Sequence, residues 1–198
     1  MRYIFLLVIL ILSSCAPLKK QITCEEKFYH ILKKNSEEVR PFKISGTIFT
    51  GGVFFLFTGK FEKDKKISIF TPLGQKVVSV KYRTNREVCV LLKDKENCGI
   101  DTDILSEYIK TDIPFSLEDL LTGRFYIPED SRYRCKKDHI IVNTGRYTIK
   151  FKGLKPEEVF YKNFSARYRY ESGKIRSIFI LKDDEEIIKI YIKSVRWL

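Results

Sequence analysis

Cysteine is the residue type in this sequence whose spacing is most able to carry chemistry. The chain of 198 residues holds a single methionine and only two histidines, His30 and His139. Metal centres and catalytic triads that need several histidines are therefore nearly excluded. The five cysteines are Cys15, Cys24, Cys89, Cys98 and Cys135.

The densest acidic run, Asp183-Asp184-Glu185-Glu186, lies between apolar runs that end at Leu181 and begin at Ile187. A polar run in this position is typical of a solvated hairpin turn. The serine residues also lack the context of a nucleophile elbow. We therefore expect a protein that is not an enzyme and that uses neither a metal nor a cofactor.

The first fifteen residues end at a cysteine that can be lipidated. Arg2 precedes an apolar run at 3–12, which is followed by Ser13, Ser14 and Cys15. A membrane span needs about 20 apolar residues, whereas the apolar region of an export signal needs about 7–15. Residues 12–15, Leu-Ser-Ser-Cys, resemble a bacterial lipobox, which implies a diacylglycerol on the Cys15 sulfur and cleavage before Cys15.

This segment predicts a chain in three parts: a lipoprotein signal peptide at 1–14, a lipidated tether at 15–23 and a single domain at 24–198. The alternative is a plain secretory signal with an incidental cysteine. Because one acyl chain binds a bilayer only marginally, the several chains of a bacterial lipoprotein are needed for a durable anchor. Ala16 stands where sorting signals for inner-membrane retention carry aspartate, which favours the periplasmic face of the outer membrane.

The four remaining cysteines suggest two disulfides, for which three pairings are possible. Cys89 and Cys98 flank a predicted hairpin, and a two-residue turn at Lys93-Asp94 would place them opposite each other. That pairing leaves Cys24 for Cys135. Four reduced cysteines remain the alternative in an envelope that is not oxidising.

The net charge of +12 falls to +11 when residues 1–14, which contain Arg2 as their one charged residue, are removed. Basic proteins often bind nucleic acid. An exported chain whose lysines are scattered among glutamates does not fit that partner, so we expect no nucleic acid. A solvated Lys/Glu-rich surface is the simplest interpretation, and anionic lipid headgroups or an acidic partner protein are the others.

Apolar residues at helical spacing predict three helices, at 24–35, 101–109 and 116–122. Short runs rich in β-branched and aromatic residues predict antiparallel strands. Besides the hairpin at Cys98, these are 44–49, 53–57, 66–70, 76–82, 87–92, 139–142, 147–151, 164–170, 175–181 and 187–193.

So few helices cannot cover both faces of a long sheet. We therefore expect an α+β fold, a strongly curved antiparallel half-barrel with about three helices on its concave side. Such curvature can enclose an apolar cavity, although the composition alone favours a packed core. The residues predicted to line the cavity are Ile44, Ile48, Phe55, Phe57, Val78, Val80, Ile104, Leu105 and Leu120.

Residues 68–80, SIFTPLGQKVVSV, resemble the strand, Pro-Leu-Gly turn and strand of the LolB family of outer-membrane lipoprotein receptors. The later order is also similar: a hairpin at 87–101, a helix at 101–109, an Ile113-Pro114 step, a helix and a Thr122-Gly123 stop. The resemblance covers roughly residues 28–130, and beyond them it continues in strand order alone.

The resemblance implies a receptor that accepts lipoproteins from a LolA-like periplasmic carrier and shelters their acyl chains in a hydrophobic cavity. It then inserts them into the outer membrane, to which its own lipid anchor holds it. Pro72, Leu73 and Gly74 would form the loop that inserts into the membrane, and a monomer is expected. The alternative is an anchored envelope lipoprotein of the same fold that binds another hydrophobic ligand or an assembly partner.

Overall fold

The computed structural model describes residues 22–63, 65–83, 87–92, 95–100 and 113–198. These residues form two helices and one sheet of thirteen strands. The helices are α1 (Cys24–Ser36) and α2 (Leu117–Thr122). The strands are β1 (Phe42–Thr50), β2 (Val53–Phe61), β3 (Lys65–Phe70), β4 (Lys76–Tyr82), β5 (Glu87–Leu92), β6 (Lys95–Ile100), β7 (Arg132–Lys136), β8 (His139–Asn143), β9 (Thr148–Lys152), β10 (Lys155–Tyr161), β11 (Phe164–Glu171), β12 (Lys174–Lys182) and β13 (Glu185–Trp197).

The sheet consists of two antiparallel meanders that meet at its centre. Strands β1 to β6 run outward to one edge, and β13 back to β7 run outward to the other edge. The first and the last strand, β1 and β13, pair with each other between the two meanders. The chain therefore passes from one edge of the sheet to the opposite edge between β6 and β7.

Alternating apolar and polar residues give the sheet one buried and one solvated face. On β1, Phe42, Ile44 and Gly46 are buried, whereas Lys43 between them is exposed. We call the buried side the inner face and the opposite side the outer face. Residues that are paired across neighbouring strands lie on the same face of the sheet, so the inner face continues from Ile44 on β1 to Gly59 on β2. Fully buried side chains of the sheet include Ile67, Val80, Val88, Val142, Ile149, Phe151 and Ile178.

Helix α1 begins with a capping box and packs against the β7 edge of the sheet. The Thr23 hydroxyl accepts from the Glu26 amide at 3.1 Å, and the Glu26 carboxylate accepts from the Thr23 amide at 2.8 Å. Phe28 and Ile31 are the buried residues of the helix. The ring of Phe28 stacks on Tyr133 of β7 with centroids 4.0 Å apart, so the helix is fixed at this edge.

The connection at 113–131, which contains α2, is held both to the sheet side and to helix α1. The Tyr147 hydroxyl donates to the Pro114 carbonyl at 2.9 Å. The Phe125 amide donates to the side-chain oxygen of Asn35, at the end of α1, at 3.1 Å. Since the connection crosses the sheet, it covers core that the strands alone leave open.

The number of helices differs from the prediction, because the described residues form two helices instead of three. The predicted helix at 101–109 lies outside the described residues. The described chain is mostly β, with an open sheet whose edges are β6 and β7.

The sequence patterns also miss β7 and β10. All five residues of β7 are exposed, so this edge strand lacks the alternation that marks a half-buried strand. Strand β10 begins with a lysine followed by Pro156, which argues against a strand interior. Its pairing with β9 is irregular between Pro156 and Glu158, and this bulge accommodates the proline. At the centre, β1 and β13 are longer than predicted.

Candidate functional site

The predicted cavity residues that the structure describes lie on or over the inner face, where most are packed core. Those that are buried in one hydrophobic cluster are Ile44, Phe57, Val80 and Leu120. Those that are half-buried are Ile48, Phe55 and Val78. The two from the predicted helix at 101–109, Ile104 and Leu105, lie outside the described residues. Close packing of this kind leaves little free volume among the buried set.

A smaller apolar pocket lies at what we call the lower end of the sheet, where β1 begins and β13 ends. We name it the inner pocket, and its volume is about 250 Å³. Ile44 is the predicted cavity residue that lines it. The other apolar lining includes Val39, Phe42, Leu121, Tyr170, Ile175 and Val195.

Basic side chains surround this pocket. Lys34, Arg124, Lys155 and Lys174 all contribute to its lining. Lys34 donates to the carbonyl of Leu154 at 2.8 Å. Burial, and then repulsion by Arg124 and Lys155, lowers the pKa of Lys34 from its usual range. The arrangement can hold an apolar group inside and an anionic group beside it.

No local sequence pattern predicts the inner pocket, because its walls come from distant segments of the chain. The end of α1, the connection with α2, and the lower ends of β1, β12 and β13 all contribute. From the sequence of its own strand alone, each apolar residue of the pocket is predicted to be an ordinary core residue. Only the pairing of β1 with β13 brings the walls together.

At the opposite, upper end of the sheet, the turn between β3 and β4 projects Leu73 into solvent. Leu73 is 89% exposed. The Gly74 amide donates to the Thr71 carbonyl at 2.9 Å, and the Thr71 amide donates to the Gln75 carbonyl at 2.8 Å. Gly74 has φ +82°, in the left-handed region that favours glycine. The turn thus presents a leucine that does not contribute to the core.

Other exposed apolar side chains lie on the neighbouring hairpin of β1 and β2. Phe49, Val53, Phe54 and Leu56 are each at least 38% exposed. Leu56 lies next to Phe70, which precedes the Leu73 turn. We call Phe49, Val53, Phe54, Leu56 and Leu73 the apolar tip. Exposed apolar patches of this kind mark contact with a membrane or a partner.

Two disulfides join the four cysteines of the described chain. Cys89 and Cys98 are directly opposed on β5 and β6 and are bonded. The second bond joins Cys24, at the start of α1, to Cys135 on β7. Glu87 lies close to the hairpin cysteines, but bonded sulfurs do not supply the thiolates that a metal needs. These four residues thus have a structural role, and Cys15 lies outside the described residues.

Neither of the two helices in the described part of the chain has the length and apolarity that a membrane crossing needs.

No family model matches this sequence, and no curated protein matches it. Among solved structures, it is similar to a DUF1329 family protein from Desulfovibrio piger, with a TM-score of 0.53 at 13% identity. The match covers 85% of this chain and 91% of that chain. This likeness shows a common fold, the LolA/LolB-like curved antiparallel sheet.

Two further structures align over most of the chain at lower scores. An uncharacterized conserved protein from Thermus thermophilus has a TM-score of 0.42 at 7% identity, covering 89% of this chain and 88% of that one. The MucA/MucB complex of Pseudomonas aeruginosa gives 0.38 at 9% identity, covering 85% of this chain and 55% of the other. Both scores are too low to establish a common fold.

Proposed function

We propose that this protein is a lipid-anchored receptor on the periplasmic face of the outer membrane. It accepts lipoproteins from a LolA-like carrier and inserts them into that membrane. The observation that carries the proposal is the apolar tip, with Leu73 89% exposed at its end. The LolA/LolB-like fold and the resemblance of residues 12–15 to a lipobox support it.

The proposed activity moves acyl chains between apolar environments and breaks no bond. Each methylene that leaves an apolar environment for water costs about 0.8 kcal/mol. A chain sheltered under the inner face avoids this cost during transfer. The protein therefore acts as a binding protein and not as an enzyme.

Sheltering an acyl chain requires the inner face to open further than it does in this structure. The inner pocket, at about 250 Å³, is smaller than the usual range for ligand pockets of about 300–1,000 Å³. An ion pair of 2.6 Å between Lys65 on β3 and Glu118 on α2 helps to hold the connection against the sheet. Because both side chains are partly exposed, this pair is weak enough to break on binding.

The apolar tip provides the contact with the bilayer. Burying one leucine side chain in an apolar environment gains about 1.5–3 kcal/mol. Since Leu73 is nearly free of the core, the protein does not lose internal packing when this side chain enters the membrane. The tip therefore contacts the membrane during release of the cargo.

A transfer assay with full-length protein tests this function. The protein is loaded with a fluorescent acylated lipoprotein and mixed with phospholipid vesicles, and transfer is followed by vesicle flotation. Leu73→Glu is expected to abolish transfer while cargo binding and the melting temperature stay close to wild type. Gln75→Glu, which places the same charge in the same turn, is the matched control and is expected to transfer.

Normal transfer by Leu73→Glu would remove the tip from the mechanism. A melting temperature far below wild type would instead mean that Leu73 contributes to the core. Failure of the wild-type protein to bind the acylated cargo would reject the proposed function as a whole.

The second candidate function is binding of another hydrophobic ligand by an anchored protein of the same fold. The small inner pocket with Lys34 and Arg124 beside it favours this alternative, because it fits one anionic amphiphile better than several acyl chains. Depletion of the protein separates the two. Mislocalised lipoproteins are expected for the receptor, and correctly localised lipoproteins for the alternative.

A further inference from the structure

The outer face of β13 and of β1 to β4 carries a repeated pattern that neither the fold nor the proposed function explains. Five strands that are neighbours in the sheet each have a basic residue and a hydroxyl residue two positions apart, in alternating order. The pairs are Ser194 and Arg196 on β13, Lys43 and Ser45 on β1, Thr58 and Lys60 on β2, Lys66 and Ser68 on β3, and Ser79 and Lys81 on β4.

Strand pairing turns this pattern into two straight rows. Lys43 lies directly opposite Arg196 and opposite Lys60. The row continues from Lys60 to Lys66 and from Lys66 to Lys81. We call these five residues the cation row. The hydroxyl row beside it is Ser194, Ser45, Thr58, Ser68 and Ser79.

The cations of this row are compensated less fully than other cations of the sheet. Like charges directly opposite each other on neighbouring strands destabilise a sheet. In the C-terminal meander, Arg167 pairs with Glu158 and Asp184, and Lys150 pairs with Glu157. Stability alone therefore does not account for five adjacent cations.

Two members of the cation row have a carboxylate partner, since Lys60 lies 2.6 Å from Glu62 and Lys81 lies 3.6 Å from Glu96. Within the part of the chain that the structure describes, no carboxylate is within ion-pair distance of the other three. They are Lys43, Lys66 and Arg196. A surface with this much unpaired charge attracts anions.

The cation row and four of the five hydroxyl residues, Ser194, Ser45, Thr58 and Ser68, line a groove of about 830 Å³ at the lower end of the outer face. The fifth, Ser79, is fully buried. Hydroxyl groups in it retain donors. Ser45 and Ser194 share one hydrogen bond of 2.8 Å, and a pair of hydroxyls with one bond between them still has one hydrogen free to donate. The groove thus offers ammonium, guanidinium and hydroxyl donors together.

We propose that this outer groove binds a compact ligand that carries several phosphate groups. Neighbouring strands are about 4.7–4.9 Å apart, so one phosphate, with its terminal oxygens, can accept from cations on two strands and from a hydroxyl in the second row. Lysine, arginine, serine and threonine are among the side chains that contact phosphate groups. An extended acidic peptide places its same-side carboxylates about 6.6–6.8 Å apart, which does not match the rows.

Binding of inositol hexakisphosphate to the full-length protein, measured by calorimetry at low and high salt, tests the proposal. Lys43→Gln/Lys66→Gln is expected to weaken binding about tenfold or more, because it removes two charged donors. Thr58→Val, which keeps every charge, is expected to weaken it by several-fold. The matched control, Lys136→Gln/Lys152→Gln, removes the same charge from exposed positions of the C-terminal meander and is expected to bind as wild type does.

The double variant is expected to melt at or above the wild-type temperature, since it relieves repulsion within the cation row. Inositol hexakisphosphate should raise the melting temperature of the wild type but not of the double variant. These two readouts separate loss of the site from loss of the fold.

Three results would overturn the proposal. Equal weakening by the control variant would mean attraction by net charge only. A poly-glutamate peptide that binds as tightly would make the groove an acidic-peptide site. Binding to phosphatidylglycerol vesicles that depends on Lys43 and Lys66, without binding of inositol hexakisphosphate, would make it a membrane-contact surface. The groove lies on the face opposite the inner pocket, so the phosphate-binding proposal can be tested independently of the proposed transport function.

Discussion

Gly46 is the residue on which the centre of the sheet depends most directly. A Cβ at this position would lie 2.1 Å from the Tyr191 carbonyl oxygen and 2.6 Å from the Phe57 ring. The pairing of β1 with β13 is irregular between Ser45 and Gly46. The backbones of the two central strands can approach this closely only because a side chain is absent.

Gly46→Ala is therefore expected to destabilise the protein by about 1–3 kcal/mol or more, the cost of overpacking. Urea denaturation measures the change. Thr47→Ala, on the outer face of the same strand, is the control and should cost less than about 1 kcal/mol. Equal stability of Gly46→Ala and wild type would show that β1 and β13 leave room for a methyl group at this position.

Glu157 gives stability a local dependence on pH. Its carboxylate lies 2.7 Å from Lys150 and 3.0 Å from His139. The hydrogen bond from Lys150, followed by nearby positive charge, lowers its pKa, although partial burial opposes the shift. Because the pKa of Glu157 is lower in the folded state, its ionised carboxylate stabilises the fold at pH values above the unfolded-state pKa of about 4.3. This stabilisation is lost as the pH falls through the folded-state pKa.

Glu157→Gln should consequently be less stable than wild type at pH 7, by less than about 1 kcal/mol because the pair is partly exposed. The difference should shrink as the pH falls below about 4.3 and vanish below the folded-state pKa of Glu157. Urea midpoints between acid and neutral pH measure it. Glu129→Gln, at an exposed glutamate, should show no such trend. A difference that grows toward acid pH would contradict the assignment.

At the scale of elements, the two disulfides hold different parts of the fold. The Cys89–Cys98 bond closes a hairpin with a sequence separation of 9, whereas the Cys24–Cys135 bond ties α1 to β7 with a separation of 111. The longer the closed loop, the more a crosslink restricts the unfolded chain.

Replacing Cys24 and Cys135 by alanine should therefore cost about 4–5 kcal/mol, and replacing Cys89 and Cys98 about 2–3 kcal/mol. Denaturant unfolding of the two double variants compares them directly. A larger loss for the hairpin pair would mean that packing of α1 against Tyr133 holds the helix without its crosslink.

Elements that depend on local signals were predictable from the sequence, and those that depend on their neighbours were not. Thr71–Gln75 is a turn because of Pro72 and Gly74, and the spacing of Cys89 and Cys98 predicts the hairpin that joins them. Strand β7 lacks alternation because it lies at an edge. Strand β10 contains a proline that a bulge accommodates, and no local sequence pattern predicts this bulge.

For the whole molecule, strand order decides which residues form a site. The sequence predicts a curved antiparallel sheet, but not that β1 and β13 meet at its centre. Of the seven predicted cavity residues that the structure describes, four are packed core. Among the seven, Ile44 alone lines the inner pocket, where α1, the connection and β13 leave a space. The cation row was not predictable either. Its five basic residues are distant in the sequence and become neighbours only through the observed pairing of the strands.

The domain and its proposed anchor should be separable. Cys15→Ala is expected to remove lipid and membrane attachment while the melting temperature stays at the wild-type value, because the sheet is built from residues after Cys24. Metabolic labelling with a fatty-acid probe and a thermal melt provide the two measurements. Absence of label on the wild type would reject the lipoprotein assignment and the proposed location with it.

The central pairing of β1 with β13 also determines when, during synthesis, the protein can finish folding. β1 is the first of the thirteen strands to be synthesised, and β13 is the last. Until β13 emerges, one edge of β1 has unsatisfied hydrogen-bonding groups, and such an edge can pair with other chains. The two meanders form a single sheet only once the final strand is made. A nascent chain therefore needs protection until synthesis has almost ended, and a chain interrupted before Glu185 remains in two unjoined halves, open to proteolysis.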